Sequence, residues 1–179
     1  MAKHIVLGVT GSIAAYKAAD IIRRLKEKGL KVSVVMTQEA EHFITPLTLS
    51  ALNGGDVYRD MFENRLEQGR MPHIELAKAD LLLIAPATAN IIGKLAYGLA
   101  DDLLTCIALA TKAPIIIAPA MNTEMLNNPL VQKNCETLED LGVHIVFPVE
   151  GDLACGTHGL GHIAEVESII KTACARLSV

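Results

Sequence analysis

A chain of 179 residues has the length of one domain and can bury a substantial core, which at 51% hydrophobic, 3% aromatic and no tryptophan must be aliphatic. Mean hydropathy is +0.35, yet no apolar run approaches the roughly 20 residues that span a bilayer; this argues against a membrane protein and for a buried parallel sheet with subunit contacts. The net charge of −4, a pI near 5.8 and the lack of a basic patch interleaved with aromatics argue against a nucleic-acid partner.

Met1-Ala2-Lys3-His4 runs straight into an apolar stretch with no signal or transit segment. Ile5 to Thr10 is predicted as a buried first strand, Gly11-Ser12 as a turn, and Ile13 to Lys28 as a helix closed by Gly29. Ala14, Ala15, Ala18 and Ala19 allow that helix to pack closely on a sheet, while Lys17, Arg23, Arg24, Lys26 and Lys28 take its wet side. Val32 to Met36 is the second strand, so the opening is a βαβ unit, and right-handed crossover leads to a parallel sheet.

The first turn, Gly8-Val9-Thr10-Gly11-Ser12-Ile13, is not GxGxxG, but free backbone N–H groups and a helix start converge there and favour an anion. No acidic residue ends the second strand to bind a ribose diol; Thr37 stands there instead, and a hydroxyl suits a phosphate or ribityl chain. A mononucleotide is therefore favoured over a dinucleotide.

Further along, Pro46 to Leu52 is a short helix closed by Asn53-Gly54-Gly55, Val57 to Phe62 an edge strand, and Glu63 to Pro72 a polar, mobile loop. His73 starts a short helix before the buried run Leu81 to Ile84. Ile91 to Tyr97, Leu103 to Ala110 and Asn128 to Leu141 read as helices, Val143 to Phe147 as the last strand, and Glu165 to Leu177 as a closing helix. No repeat, low-complexity tract or linker interrupts the chain, so one domain over residues 1–179 is expected.

Two similar segments follow buried strands: Ala85-Pro86-Ala87-Thr88-Ala89-Asn90, and Ala118 to Met125 after Ile115-Ile116-Ile117. Proline cannot continue a ladder, so Pro119 is expected to end its strand and leave the Asn122 amide at the carboxyl edge, where open α/β sheets bind ligands. The two segments read as two walls of one pocket. The loop Ala154 to His162 carries three glycines and is expected to be a flexible flap with Cys155 within reach of a ligand. Cys106, Cys135 and Cys174 fall within helix patterns as core fillers; with no CxxC pair, all four cysteines are expected as free thiols in a cytoplasmic protein. Cys155, His158 and His162 have a ligand-like spacing, but no fourth ligand accompanies them and no metal site is expected.

Gly11-Ser12-Ile13-Ala14-Ala15-Tyr16-Lys17, the Ala85–Asn90 segment, Gly98–Leu103, Pro119-Ala120-Met121-Asn122 with Met125, and Ala154-Cys155-Gly156 occur in an order that resembles the flavin-dependent cysteine decarboxylase family. Within it the likeness is to phosphopantothenoylcysteine decarboxylases, the decarboxylase half of bifunctional bacterial coenzyme A biosynthesis proteins. The resemblance implies an α/β fold: a single-domain parallel sheet flanked by helices in a flavodoxin-like or Rossmann-like three-layer sandwich. It also implies homo-oligomers, as trimers or dodecamers of trimers, with FMN at the subunit interface, and a fused or separate CTP-dependent phosphopantothenoylcysteine synthetase as partner.

By matching position, the resemblance implies FMN contacts from Gly11, Ser12, Ile13, Thr37, Phe43, Thr88, Ala89, Asn90, Ile91 and Ala120. It makes His73, Asn122 and Cys155 catalytic, as base, carboxylate holder and proton donor, and assigns substrate contacts to Asn122, Met125, Ala154, Cys155 and Gly156. The implied activity is a lyase reaction, FMN-dependent decarboxylation of 4′-phosphopantothenoylcysteine to 4′-phosphopantetheine through thiol oxidation, CO2 loss and re-reduction of the enethiol. One departure is His162, where the family usually has arginine. The alternatives are a peptidyl-cysteine decarboxylase and a non-catalytic regulatory flavoprotein of the same fold.

Overall fold

A computed structural model describes residues 2–62, 71–154, 156 and 158–179. Its centre is a six-stranded sheet in the order β3-β2-β1-β4-β5-β6: β1 His4–Val9, β2 Lys31–Met36, β3 Val57–Tyr58, β4 Leu81–Ala87, β5 Ile115–Pro119 and β6 His144–Ile145, paired in parallel throughout. The order reverses between β1 and β4, which leaves a crevice at their carboxyl ends.

Alternation along the strands divides the core in two. Ile5, Leu7 and Val9 face one side with Leu81, Leu83, Ile116 and Ala118; there α1 (Lys17–Glu27), α2 (Pro46–Asn53) and α8 (Val166–Leu177) cover them. Val6, Leu82, Ile84 and Ile117 face the other side, under α3 (Pro72–Leu76), α4 (Ala89–Ala96), α5 (Leu103–Ala110) and α7 (Pro129–Asp140). This is the expected three-layer α/β sandwich. In α1, Ala18, Ile21, Ile22 and Leu25 form the buried stripe, and Gly29 at φ 75° releases the chain into β2. Among the described residues no helix is long and apolar enough to cross a membrane.

The structure departs from the sequence expectations at five places. The first helix is split: a 3-10 turn, Ile13–Tyr16, precedes α1, because Ser12 Oγ accepts the Ala14 N–H at 3.3 Å and tightens the entry. The edge strand stops at Tyr58, and Asp60 folds back to accept the Phe62 N–H at 2.6 Å. Most of the predicted mobile loop, residues 63–70, lies outside the described residues, and Pro72 already belongs to α3. The last sheet strand is only His144–Ile145, and the end of the glycine-rich segment is a strand rather than a loose flap: β8 (His158–His162) pairs antiparallel with β7 (Val149–Asp152) in a separate two-stranded sheet.

The fifth departure is at Pro86, which does not end its strand, whereas β5 does end at Pro119 as expected. β4 runs through Pro86 to Ala87, with a cis Ala85–Pro86 peptide, and β5 includes Pro119. A register shift between Ile84 and Ala87 frees Pro86 from donating to the ladder, and pairing resumes at Ala87 with Pro119.

Thr10, 2% exposed, joins the two strands at the reversal: its Oγ1 donates to the Pro86 carbonyl at 2.7 Å and accepts the Thr88 N–H at 3.1 Å. Thr10→Val, which keeps the shape and strands both buried backbone groups, is expected to lower unfolding stability by about 1–3 kcal/mol in urea titration. Thr10→Ser is expected to recover most of that loss, and equal stability of all three proteins would remove the junction from the account.

Candidate functional site

A cavity of about 680 Å³ opens at the carboxyl ends of β1, β4 and β5, within the range of small-molecule sites. Its walls come from five stretches of chain. Gly11, Ser12 and Ile13 follow β1; Thr37, Glu39 and Phe43 follow β2; Thr88 to Ile91 open α4. Ala120, Met121, Asn122 and Met125 follow β5, and Asp152 to Ala154 with Gly161 to Ile163 come from the hairpin.

Helix starts crowd this space, and three of them are capped by their own side chains. Ser12 caps the first 3-10 turn, Thr88 Oγ1 accepts the Ile91 N–H at 3.3 Å to cap α4, and Asn122 Oδ1 accepts the Glu124 N–H at 2.8 Å to open α6, Thr123–Leu126. The Asn122 cap fixes its amide orientation: the oxygen faces the helix backbone, so the NH2 half is what the residue presents as donor. Gly11 is required by close approach, since a Cβ there would collide with Glu39 Cβ. Thr37 Oγ1 is buried, lines the cavity and has no hydrogen-bond partner. An unpaired buried hydroxyl facing a cavity is costly unless a ligand oxygen meets it.

All the residues expected at a mononucleotide therefore line one cavity: Gly11, Ser12, Ile13, Thr37, Phe43, Thr88, Ala89, Asn90, Ile91 and Ala120. Asn122, Met125 and Ala154 join them, while Gly156, at φ 84°, is exposed and does not line it. Cys155 lies outside the described residues. His73 is placed elsewhere: it sits on α3, which packs on α5, and it does not line this cavity. Its Nδ1 is buried without a partner.

Sequence reasoning missed Asp102, Glu39, Asp152 and Ile163 as lining residues. Only Asp102 carried a signal, within the Gly98–Leu103 segment. It caps α5 by accepting the Thr105 N–H at 2.8 Å, and Lys94 Nζ stands 2.8 Å from Asp101 and 3.1 Å from Asp102, which offsets its charge. Burial, with Asp102 and Asp101 nearby, raises the pKa of Cys106, which disfavours a thiolate there. Among the described residues no group of histidine, cysteine, aspartate and glutamate could hold a metal. His158 Nδ1 is instead 3.0 Å from Asp152 Oδ1, and His162 Nδ1 is 3.0 Å from the Ile163 carbonyl.

The hairpin is seated on the Asn122 wall through glycines. Thr123 Oγ1 donates to the Leu160 carbonyl at 2.7 Å, and the Met121 N–H donates to Gly161 O at 3.1 Å. A Cβ on Gly159 would stand 2.7 Å from Thr123 Oγ1, and one on Gly161, whose φ is 139°, would collide with the Met121 carbonyl.

The family described as Flavoprotein matches residues 1–178. Over 169 residues the chain is 48% identical to the coenzyme A biosynthesis bifunctional protein CoaBC of Vibrio vulnificus, covering 94% of this chain and 42% of that protein. It is 45% identical over 177 residues to CoaBC of Escherichia coli, covering 98% of this chain and 43% of that one. The chain thus spans about two fifths of the length of these curated relatives. It superposes on a solved cysteine-to-serine mutant of PPC decarboxylase complexed with pantothenoylaminoethenethiol, at a TM-score of 0.89 and 34% identity over 100% of both chains. The FMN-dependent cysteine decarboxylase SpaF matches at a TM-score of 0.85 and 32% identity, covering 99% of this chain and 98% of that one.

Gly161→Ala is expected to undock the hairpin, because backbone strain and the clash with Met121 act together; limited proteolysis should then cut residues 149–162 faster with little change in Tm. Thr123→Val, which removes one hydrogen bond, should weaken docking by about 0.5–1.5 kcal/mol. Unchanged cleavage in both variants would mean that these contacts do not hold the hairpin.

Proposed function

The chain belongs to the Flavoprotein family, and on that premise we propose that it catalyses the FMN-dependent decarboxylation of 4′-phosphopantothenoylcysteine to 4′-phosphopantetheine, a lyase step of coenzyme A biosynthesis. The observation that carries this reading is the joint presence of Asn122 and the unpartnered Thr37 hydroxyl in one cavity of a chain that matches PPC decarboxylase from end to end.

The residues fit FMN. The backbone N–H groups of Gly11 and Ile13, with those of Ala89 and Asn90 at the start of α4, suit an anionic phosphate, while the Ser12 N–H is taken by the Thr10 carbonyl. Thr37 Oγ1 takes a phosphate or ribityl oxygen, and Phe43 and Ala120 supply apolar wall for a ring system. FMN held there would supply the reversible two-electron chemistry that no side chain offers.

The chain's own groups position and protonate. The Asn122 amide donates to the substrate carboxylate without the strong ion pairing that would stabilise the ground state and raise the barrier. Met125 and Ala154 hold the substrate beside it, with Gly156 as a further contact. Cys155 delivers a proton to the enethiolate carbon after CO2 loss. His73 serves as the base, and since it lies outside the cavity of its own chain, it works in the cavity of a neighbouring copy.

That placement supports a homo-oligomer, a trimer or a higher assembly of trimers, with the cofactor at the subunit interface. Ile13, Tyr16, Phe43 and Met125 line the cavity yet are 57%, 57%, 46% and 49% exposed in the isolated chain, apolar surface that a second subunit would cover. The relatives' longer chains support a CTP-dependent synthetase, fused or separate, as partner.

The purified protein is expected to carry a flavin that co-migrates with FMN on release, and to liberate CO2 from 4′-phosphopantothenoylcysteine in preference to a peptide ending in cysteine. Asn122→Asp sets a carboxylate against the substrate carboxylate and is expected to cost about 2–3 kcal/mol in kcat/KM, roughly 30- to 150-fold. No bound flavin on isolation or reconstitution would sink the reading. Mixing inactive His73→Asn and Asn122→Asp proteins after subunit exchange is expected to restore part of the activity, by forming cavities with both native groups. No recovery despite verified exchange would place His73 and Asn122 in the same subunit's site or remove His73 from it.

A further inference from the structure

The cavity has an unusual charge balance for a site that receives anions. Its ionisable walls, among the described residues, are Glu39, Asp102, Asp152 and His162, with no lysine or arginine. Lys94 answers Asp102 from outside the cavity lining, and His158 stands 3.0 Å from Asp152. His162 is the one lining side chain able to carry positive charge.

Its position is set from two sides. A Cβ on Gly151 would lie 3.2 Å from both His162 Cβ and Cγ, a tight contact that glycine on β7 avoids. His162 Nδ1 is 3.0 Å from the Ile163 carbonyl, and because a carbonyl only accepts, Nδ1 carries hydrogen. The neutral ring then offers only a lone pair at Nε2, which repels an anion; the protonated ring donates from Nε2 and attracts one.

We propose that His162 is the cationic, specificity-determining residue of this cavity, donating from Nε2 as an imidazolium to a phosphate or carboxylate group of a bound small molecule. The other titratable groups on the elements around the ring are Glu150 and Asp152 on β7, His158 on its own strand, Glu124 on α6, Glu165 ahead of α8, and Glu39 and Asp102 on the remaining walls. Two are histidine-paired or lysine-paired acids and none is a fixed cation, so no neighbour duplicates the role. The substrate arm of this proposal rests on the functional reading above; the flavin arm needs only that the cavity binds a flavin.

The test compares ligands that differ only in the anionic group, using wild type, His162→Gln and His162→Arg with matched thermal melts. The pairs are FMN against riboflavin by fluorescence titration, 4′-phosphopantothenoylcysteine against its dephosphorylated form by KM, and the acid substrate against a descarboxy analogue as competitor. For one pair, His162→Gln is expected to weaken the anionic member by about tenfold to a hundredfold and leave its neutral counterpart unchanged. His162→Arg should restore the anionic member, and the pair that responds names the group held. Equal effects on both members of all three pairs, or none on any, overturn the proposal. Absence of turnover with normal FMN–riboflavin discrimination by His162 instead overturns the substrate assignment and upholds the role of the imidazole.

Discussion

The hydroxyl of Thr10 is the smallest group on which the site depends. It sits at the point where the strand order reverses, donates to the Pro86 carbonyl and accepts the Thr88 N–H. A buried hydroxyl with both functions satisfied contributes only modestly to net stability, but leaving its two partners unpaired is expensive. That asymmetry pins the end of β4 to the end of β1. The first turn, the start of α4 and, through the resumed pairing of Ala87 with Pro119, the Asn122 segment take their positions from that junction.

From this junction the cavity is built of backbone ends rather than charged side chains. Ser12, Thr88 and Asn122 each turn an oxygen back to cap their own helix or turn, so the groups this cavity offers an anion are mainly backbone N–H groups. This suits a neutral ring with an anionic tail, and it explains how a cavity with three carboxylates can still receive phosphates: Asp102 is neutralised from behind by Lys94, and the N–H groups supply local positive potential. The hairpin closes the arrangement at a fixed spacing, since two glycines allow its backbone to touch the Met121–Thr123 segment. In this segment glycine serves close approach rather than flexibility, which is why a stretch that reads as a loose flap is a paired strand.

Much of the fold was legible in the residues. Continuous apolar runs mark β1, β2, β4 and β5, because these strands are buried on both faces, and the amphipathic stripes of α1, α7 and α8 mark helices, because a stripe records which side meets the core. What partners decide was not legible: β3 and β6 lie where strands were expected but run for only two residues each, held by their neighbours in the sheet, and the β7–β8 hairpin has almost no apolar alternation. Proline read as a strand terminator failed at Pro86, because a register shift, invisible in one strand alone, removed the hydrogen bond that proline could not make.

For the site, local chemistry was readable and assembly was not. The glycine turn, Thr37, the Thr88–Ile91 helix start and the Asn122 turn each announce a ligand-facing role by residue type, and composition alone determined an aliphatic α/β chain without a basic surface for nucleic acid. Only the tertiary structure decided that these stretches, more than 100 residues apart from Gly11 to Asn122, surround a single space, that His73 stands outside it, and that among the described residues His162 is its one potential cation. The reason is physical: a sequence records what each residue can do, whereas electrostatic balance and shared walls depend on distances between segments, which exist only once the sheet has set its order.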